Sequence, residues 1–284
     1  MNEIAEINIE TIACPLCAGE KYSPWAAENG FCAVTCSDCG LIYVNPRPSL
    51  ATIDRAVRAG AHREETLQLN VVSRRVSAKV EQYRKVVAEM FRDVVEKGEP
   101  ISWLDVGAGF GEVVEAVAKV VPAGSRVEGL EPMKPKVAQA KARGVAVREG
   151  YLSDINDKYG VVSVINVFSH VPDFKQFLQE IKGVLTPNGE VLLETGNAGD
   201  IGNRNYFPGP LTLPDHLVFA GERHIRRFLE QAGFELVQIK RIRIDGLVYS
   251  IKNLVKRLLG QPVAVSLPYT SPSRTVLFRA RSVS

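Results

Sequence analysis

The 284-residue sequence has no apolar run approaching the roughly 18 residues that a membrane-spanning helix requires, so no helical span is expected. It also has no strong excess of either charge, since 35 Lys and Arg against 32 Asp and Glu leave a formal net charge of +3. A dedicated nucleic-acid binder gathers basic residues into a patch or stripe, and this balance argues against nucleic acid as a partner. The N-terminus, MNEIAEINIE, lacks the basic start and apolar stretch of a secretory signal, which makes a cytoplasmic location the expectation. Cysteine is scarce, at five residues, and in a reducing compartment such cysteines are metal ligands before they are disulfides. The remainder, 45% apolar and 24% charged, is the balance of a globular chain and excludes a disordered one. The length allows one main domain with an accessory module.

Four of the cysteines form a pattern. Cys14-Pro-Leu-Cys17 and Cys36-Ser-Asp-Cys39 are two C-x2-C knuckles separated by 18 residues, with Ala18-Gly19 and Gly40 where each must turn. This is the spacing of a tetrahedral four-thiolate zinc site, which leaves no open position and is therefore structural. Residues 1–48 are read as a zinc ribbon, with Cys32 as a small buried hydrophobe. Residues 49–99 are read as a helical linker. Within it Thr66 to Lys97 forms one helix, on the spacing of Val72, Val76, Val80, Tyr83, Val87, Met90, Phe91 and Val94. His62, just before that helix, is read as a solvated loop histidine, the alternative being a cavity-facing one.

From Pro100 onward strand-like and helix-like segments alternate, so residues 100–284 are read as an α/β, Rossmann-like domain. Its seven-stranded sheet is mostly parallel, with helices on both faces. Strands are expected at 102–106, 126–130, 145–148, 161–167 and 190–194. Helices are expected at 112–121 and 134–143, and on the stripes Phe174, Phe177, Leu178, Ile181, Leu185 and Ile225, Phe228, Leu229, Ala232. FELVQIKRIRI and RTVLFRARSV are two further strands that pair at one edge, separated by an insertion at about 246–272. The insertion contains LVYSIKNLVKRLLG, a basic amphipathic stretch read as packing over a pocket or a second subunit, with membrane-surface contact as the alternative.

The first strand of this domain ends in WLDVGAGFGE. In an open α/β sheet the ligand lies at the carboxyl ends of strands, and glycines there let it touch bare backbone. Gly107, Gly109 and Gly111 are spaced G-x-G-x-G. That is neither the G-x-G-x-x-G of a dinucleotide site nor a P-loop, which would need Lys-Ser/Thr after its last glycine. Asp105, inside the strand, would repel a phosphate but accept hydrogen bonds from an amino group. Glu131, at the end of the next strand, can take both hydroxyls of a ribose. An adenosine-like ligand with a free diol, an ammonium end and no phosphate fits, and S-adenosylmethionine meets that description.

In their order and spacing LDVGAGFGE, GLEP, NVFSHVPDF and LTPNGEVLLET resemble the successive motifs of class I S-adenosylmethionine-dependent methyltransferases, over about Pro100 to Phe234. The cysteine ribbon running into CSDCGLIYVNPRP is similar to the zinc-bearing branch that includes sugar C-methyltransferases, although the large C-terminal domain of that branch is lacking. The resemblance implies that Asp105, Gly107 and Gly109, with Gly111 completing the loop, surround the methionine part of the cofactor. Glu131 would hold the ribose, Met133 or the Tyr151-Leu152 pair the adenine faces, and Asn166 and Phe168 would lie beside the sulfonium. Asp154 would either orient the adenine amine or cap a turn. His170, on the rim beyond the fourth strand, is the first candidate general base. Asp215-His216 resembles the acid-histidine pair of the sugar enzymes and is the second. Tyr206 and Phe207, in a long irregular loop, are expected to line the acceptor pocket. The expected reaction is methyl transfer to a small molecule, a sugar or secondary metabolite, on oxygen or carbon. The rival is an RNA base methyltransferase that grips its substrate with the ribbon. It is disfavoured by the modest charge and by NVFSH standing where an N/D-P-P-Y-type loop would be.

Overall fold

The computed structural model describes residues 8–64, 67–71, 74–196, 198–202, 204, 210–243, 251, 254–256, 258–260 and 274–283. Its centre is a seven-stranded sheet of β1 (Ser102–Val106), β2 (Arg126–Glu131), β3 (Val147–Glu149), β4 (Tyr159–Ile165), β5 (Leu185–Gly196), β6 (Phe234–Arg243) and β7 (Arg274–Ser282). The strand order is β3-β2-β1-β4-β5-β7-β6. The first five strands run parallel, while β7 is antiparallel to both β5 and β6. Order reverses between β1 and β4, which opens a crevice at their carboxyl ends.

Strand periodicity explains the two faces. In β1, Leu104 and Val106 join a core with Phe174, Leu178 and Ile181 of the helix Phe174–Val184 and with Ile225, Phe228 and Leu229 of the helix Glu222–Gln231. Trp103 points the other way, against Val80, Tyr83, Val87 and Met90 of the helix Ser77–Met90 and Val113, Ala116 and Val117 of the helix Glu112–Ala118. The helix Lys134–Lys141 covers the β2–β3 edge through Val137 and Ala140.

The expected single helix from Thr66 to Lys97 is corrected by the structure. Ala61–Glu64 and Leu67–Asn70 form an antiparallel hairpin, the helix begins at Ser77 and ends at Met90, and a short turn of helix spans Arg92–Val95. Val76 is extended, at φ −121° and ψ 96°, so its place in the apolar stripe was a coincidence of spacing. Thr66 and Val72 lie outside the described residues. Within the segment read as a helical linker, a separate helix, Leu50–Ala59, starts at Ser49, whose hydroxyl accepts from the Thr52 N–H, and stops at Gly60, which is left-handed at φ 66°. The fourth strand ends at Ile165, two residues before the expected end, because Asn166 turns to φ 57°.

The ribbon strands Tyr22–Glu28, Phe31–Cys36 and Ile42–Val44 are joined by a fourth, Val218–Phe219, which pairs with Tyr43 and Ile42 from far along the chain. Leu16, Val34, Leu41 and Tyr43 are continuous with the core on the Leu104 face. No helix among the described residues is long and apolar enough to cross a membrane. In the insertion, Ile251, Leu254, Val255 and Leu258 are exposed, while Lys252 and Arg257 lie outside the described residues.

Candidate active site

A cavity of about 1460 Å³ lies over the carboxyl ends of β1, β2, β4 and β5. Leu50, Ile53, Asp54 and Val57 line it as well, as do residues 210–212, 215, 216 and 218–220. Asp105, Gly107, Gly109, Glu131, Met133, Tyr151, Leu152, Asn166, Phe168, His170, Asp215 and His216 all border this one space.

The glycine loop needs its glycines. Gly107 has φ 73°, and a Cβ there would stand 2.3 Å from Val167 Cγ2. Gly111, at φ 85°, is the N-cap of the helix Glu112–Ala118 and would drive a Cβ to 2.7 Å from Val145. Glu131 spans the loop: Oε2 accepts from the Gly109 N–H at 2.8 Å and Oε1 from the Met133 N–H at 3.1 Å. Asp105 is 2% exposed. It accepts from the Ser163 hydroxyl at 2.5 Å, and that hydroxyl in turn accepts from Trp103 Nε1 at 2.9 Å. Burial pushes the Asp105 carboxyl up to about 7; the Ser163 bond opposes this, and the charges of Glu131 and Glu112 add to it.

At the far side of β2, the Tyr151 hydroxyl donates to Asp54 Oδ1 at 2.6 Å and the Arg58 guanidinium lies 4.7 Å over the Tyr151 ring. Asp54 and Arg58 belong to the helix Leu50–Ala59, so this helix is tied across the cavity. Asp154 Oδ2 accepts from the Tyr151 N–H at 2.7 Å, which is the turn cap of its two expected roles. The Phe168 ring packs in the core against Phe174 at 4.4 Å and Phe228 at 5.9 Å. Asn166 reaches Tyr83, its Nδ2 donating to the hydroxyl at 3.4 Å.

His170, Asp215 and His216 meet at the other end, each with a ring nitrogen or carboxylate oxygen within 4.8 Å of the others. His170 Nδ1 lies 3.0 Å from the Asp215 carbonyl and 3.3 Å from its Oδ2. His216 Nδ1 lies 2.8 Å from the Leu211 carbonyl. A carbonyl can only accept, so both imidazoles carry their proton on Nδ1 when neutral and leave Nε2 as an acceptor. Burial works to raise the Asp215 carboxyl, but the imidazoles of His170 and His62 outweigh it and hold the group well below the usual carboxylate range. Burial, then the charge of His170, lowers His216.

The four ribbon cysteines also meet. Cys14 and Cys39 Sγ are 3.5 Å apart, as are Cys17 and Cys36 Sγ, and all four lie within 4.8 Å of one another with no disulfide. Thiolates about 2.3 Å from a common tetrahedral centre stand roughly 3.8 Å apart, so the donor set fits zinc.

Residues 74–239, more than half of the chain, match the family described as "Methyltransferase domain". The chain belongs to this family. Its sheet order and glycine loop are those of a class I S-adenosylmethionine-dependent methyltransferase domain. Among curated proteins, the ubiquinone biosynthesis O-methyltransferase of Azorhizobium caulinodans is 31% identical over 103 residues, 33% of this chain and 40% of that protein. The protein of the same name from Aeromonas salmonicida is 31% identical over 104 residues, 33% of this chain and 42% of that one. The matched stretch thus spans less than half the length of either relative. The structure of geranyl diphosphate C-methyltransferase from Streptomyces coelicolor A3(2), in complex with Mg2+, geranyl diphosphate and S-adenosyl-L-homocysteine, is similar at a TM-score of 0.51. It is 18% identical and covers 72% of this chain and 82% of that one, a likeness of fold.

Several residues around the methyltransferase cavity were missed in the sequence. His62, expected in solvent, is 2% exposed, with Nε2 3.8 Å from Asp215 Oδ1. Glu194, at the end of β5, borders the cavity at 4% exposure, and burial raises its carboxyl to about 7 against hydrogen bonding from Tyr83, the charge of Lys79 and hydrogen bonding from Asn166. Its position in LLET, at the carboxyl end of a core strand, was the available signal. Glu28 grips the loop of Asp215 from the ribbon, and no local pattern announces such a contact. Tyr206 and Phe207 lie outside the described residues.

Proposed function

We propose that this chain transfers the methyl group of S-adenosylmethionine to a small-molecule acceptor, a sugar or secondary metabolite, on oxygen or carbon. The observation that carries the reading is the Glu131 carboxylate held across Gly109 beside the buried Asp105, at the carboxyl ends of β2 and β1. The Glu131 carboxylate suits the free diol of a nucleoside and would repel a phosphate, and Asp105, ionised on meeting a cationic amino end, suits that end.

When bound, S-adenosylmethionine supplies a methyl group on a sulfonium, which an acceptor attacks as the carbon–sulfur bond breaks. In this reading Glu131 takes the ribose hydroxyls, and Met133, Tyr151 and Leu152 border the adenine. Asn166 and Phe168 fix the wall beside the reacting carbon. His170 receives the acceptor proton on Nε2, because its Nδ1–H faces Asp215 and the carboxylate stabilises the imidazolium that forms. His216, with its ring centred 4.8 Å from that of His170, offers a second acceptor nitrogen on the same wall. Alignment of acceptor, methyl carbon and sulfur can contribute on the order of 7 to 11 kcal/mol of the barrier reduction.

The cysteine cluster supports a structural zinc and a kinship with the zinc-bearing sugar branch, and free thiols suit a reducing, cytoplasmic setting. Incubating the protein with methyl-labelled S-adenosylmethionine and, separately, a small-metabolite extract and total RNA tests the reading. Label is expected in the metabolite fraction alone. Label confined to RNA would replace the proposal with the rival.

A further inference from the structure

Two of the protein's four histidines, His62 and His224, are 2% exposed, and they are buried in different ways. His224 has both nitrogens engaged: Nδ1 accepts from the Gly221 N–H at 3.0 Å, and Nε2 lies 3.1 Å from the Cys39 carbonyl. His62 has neither nitrogen hydrogen-bonded, although both are enclosed. A polar ring is not left in that condition without a counterpart that repays its desolvation. The group it faces is Asp215, with Nε2 3.8 Å from Oδ1, while the other oxygen, Oδ2, faces His170 Nδ1 at 3.3 Å. The carboxylate therefore stands between two imidazoles, one on each oxygen.

We infer that His62 is a positioning residue for the acceptor-side base: it carries a proton on Nε2, holds Asp215 through Oδ1, and so keeps Oδ2 aimed at His170. The inference rests on the reading of His170 as that base. His62 does not border the cavity, whereas Asp215 and His170 do, so it acts only through the carboxylate. It sits on the hairpin that directly follows the helix Leu50–Ala59, whose Asp54 accepts from Tyr151 at the other end of the cavity. One short stretch of chain thus touches the cofactor end through Asp54 and the base through His62. The ionisable groups facing this array are Asp215, His170 and His216, with Glu28 acting on His216 from the ribbon.

The test is nitrogen-15 spectroscopy of the four imidazoles in the full-length protein. In the unaltered chain His62 Nε2 is expected to carry a proton at neutral pH; an Nε2 without one overturns the inference whatever any variant does. In His62→Leu, removal of one imidazole leaves the carboxylate to His170 alone, and the His170 titration is expected to move up by about half a pH unit or more. S-adenosylhomocysteine affinity, read by calorimetry, should stay within about twofold, which shows that the fold and the nucleoside site are intact. An unmoved His170 titration with that affinity intact means that His62 only fills space. Failure of the unaltered protein to bind S-adenosylhomocysteine would instead sink the functional reading, and the state of His62 Nε2 would be unaffected.

Discussion

Glu28, at the tip of the first ribbon hairpin, accepts hydrogen bonds from the backbone N–H groups of Thr212 and Leu211 at 2.7 Å each. Asn29 adds a bond to the Leu213 carbonyl at 2.7 Å, and the Val44 N–H donates to the Leu217 carbonyl at 2.8 Å. The segment held in this way carries Asp215 and His216, so the ribbon shapes the end of the cavity where those two residues meet His170. Glu28→Ala should cost about 1.5 to 3 kcal/mol for the lost charged acceptor. The loss is checked by denaturant unfolding, with faster amide exchange confined to residues 211–217. Exchange unaltered there would show that the loop holds its shape without Glu28.

Metal analysis should return one zinc per chain. Chelation at neutral pH should loosen the two knuckles and, through Glu28, the loop of Asp215, because the metal would be the bond that ties one turn to the other. A metal-free chain with the same amide-exchange pattern would remove zinc from the account.

Glu131→Ala should weaken S-adenosylhomocysteine binding by about tenfold to a hundredfold, since two hydroxyl bonds to a charged acceptor are lost. The same change frees the Gly109 N–H, so Glu131→Gln is the companion: its side-chain oxygen keeps one acceptor and should show the smaller loss. Calorimetry with equal affinities for all three proteins would take Glu131 out of the ribose site.

The Asp105 carboxyl is raised to about 7 and that of Glu194 likewise, in both cases chiefly by burial. Between the ordinary carboxylate value near 4 and about 7, the unfolded chain has released these protons and the folded chain has kept them. Stability should therefore fall as pH rises through that window and level off above it. Denaturant unfolding at intervals from pH 4 to 8 checks this against Asp105→Asn, in which the slope should be shallower. An equal slope in the two proteins would mean that Asp105 is not protonated in the fold.

Once an acceptor is in hand, His170→Ala should lower kcat about a hundredfold or more with little change in nucleoside affinity. Turnover that survives this substitution and His216→Ala alike would show that alignment alone drives the reaction.

The parallel sheet was legible because β1 and β4 are buried on both faces and read as short apolar runs. The glycine-loop end of the cavity was legible too, since Gly107 and Glu131 lie at strand ends that the alternation locates. The stretch from Leu67 to Asn70 was misread as helix because its spacing suits a strand as well, and the packing of Leu67 and Leu69 with Phe31, Ala33 and Val44 of the ribbon decides for the hairpin. His62 looked like a surface residue for a related reason: the group it faces, Asp215, lies 153 positions along the chain, and no local pattern records so distant a neighbour.

The pairing of Val218–Phe219 with Ile42 and Tyr43 has a consequence for how the chain can be cut. A protein trimmed ahead of residue 49 would be left with a raw β edge, and the side of Leu217 and Val218 now shielded by Val34 and Tyr43 would be stripped bare. Clumping, rather than a tidy minimal enzyme, is what such trimming should yield.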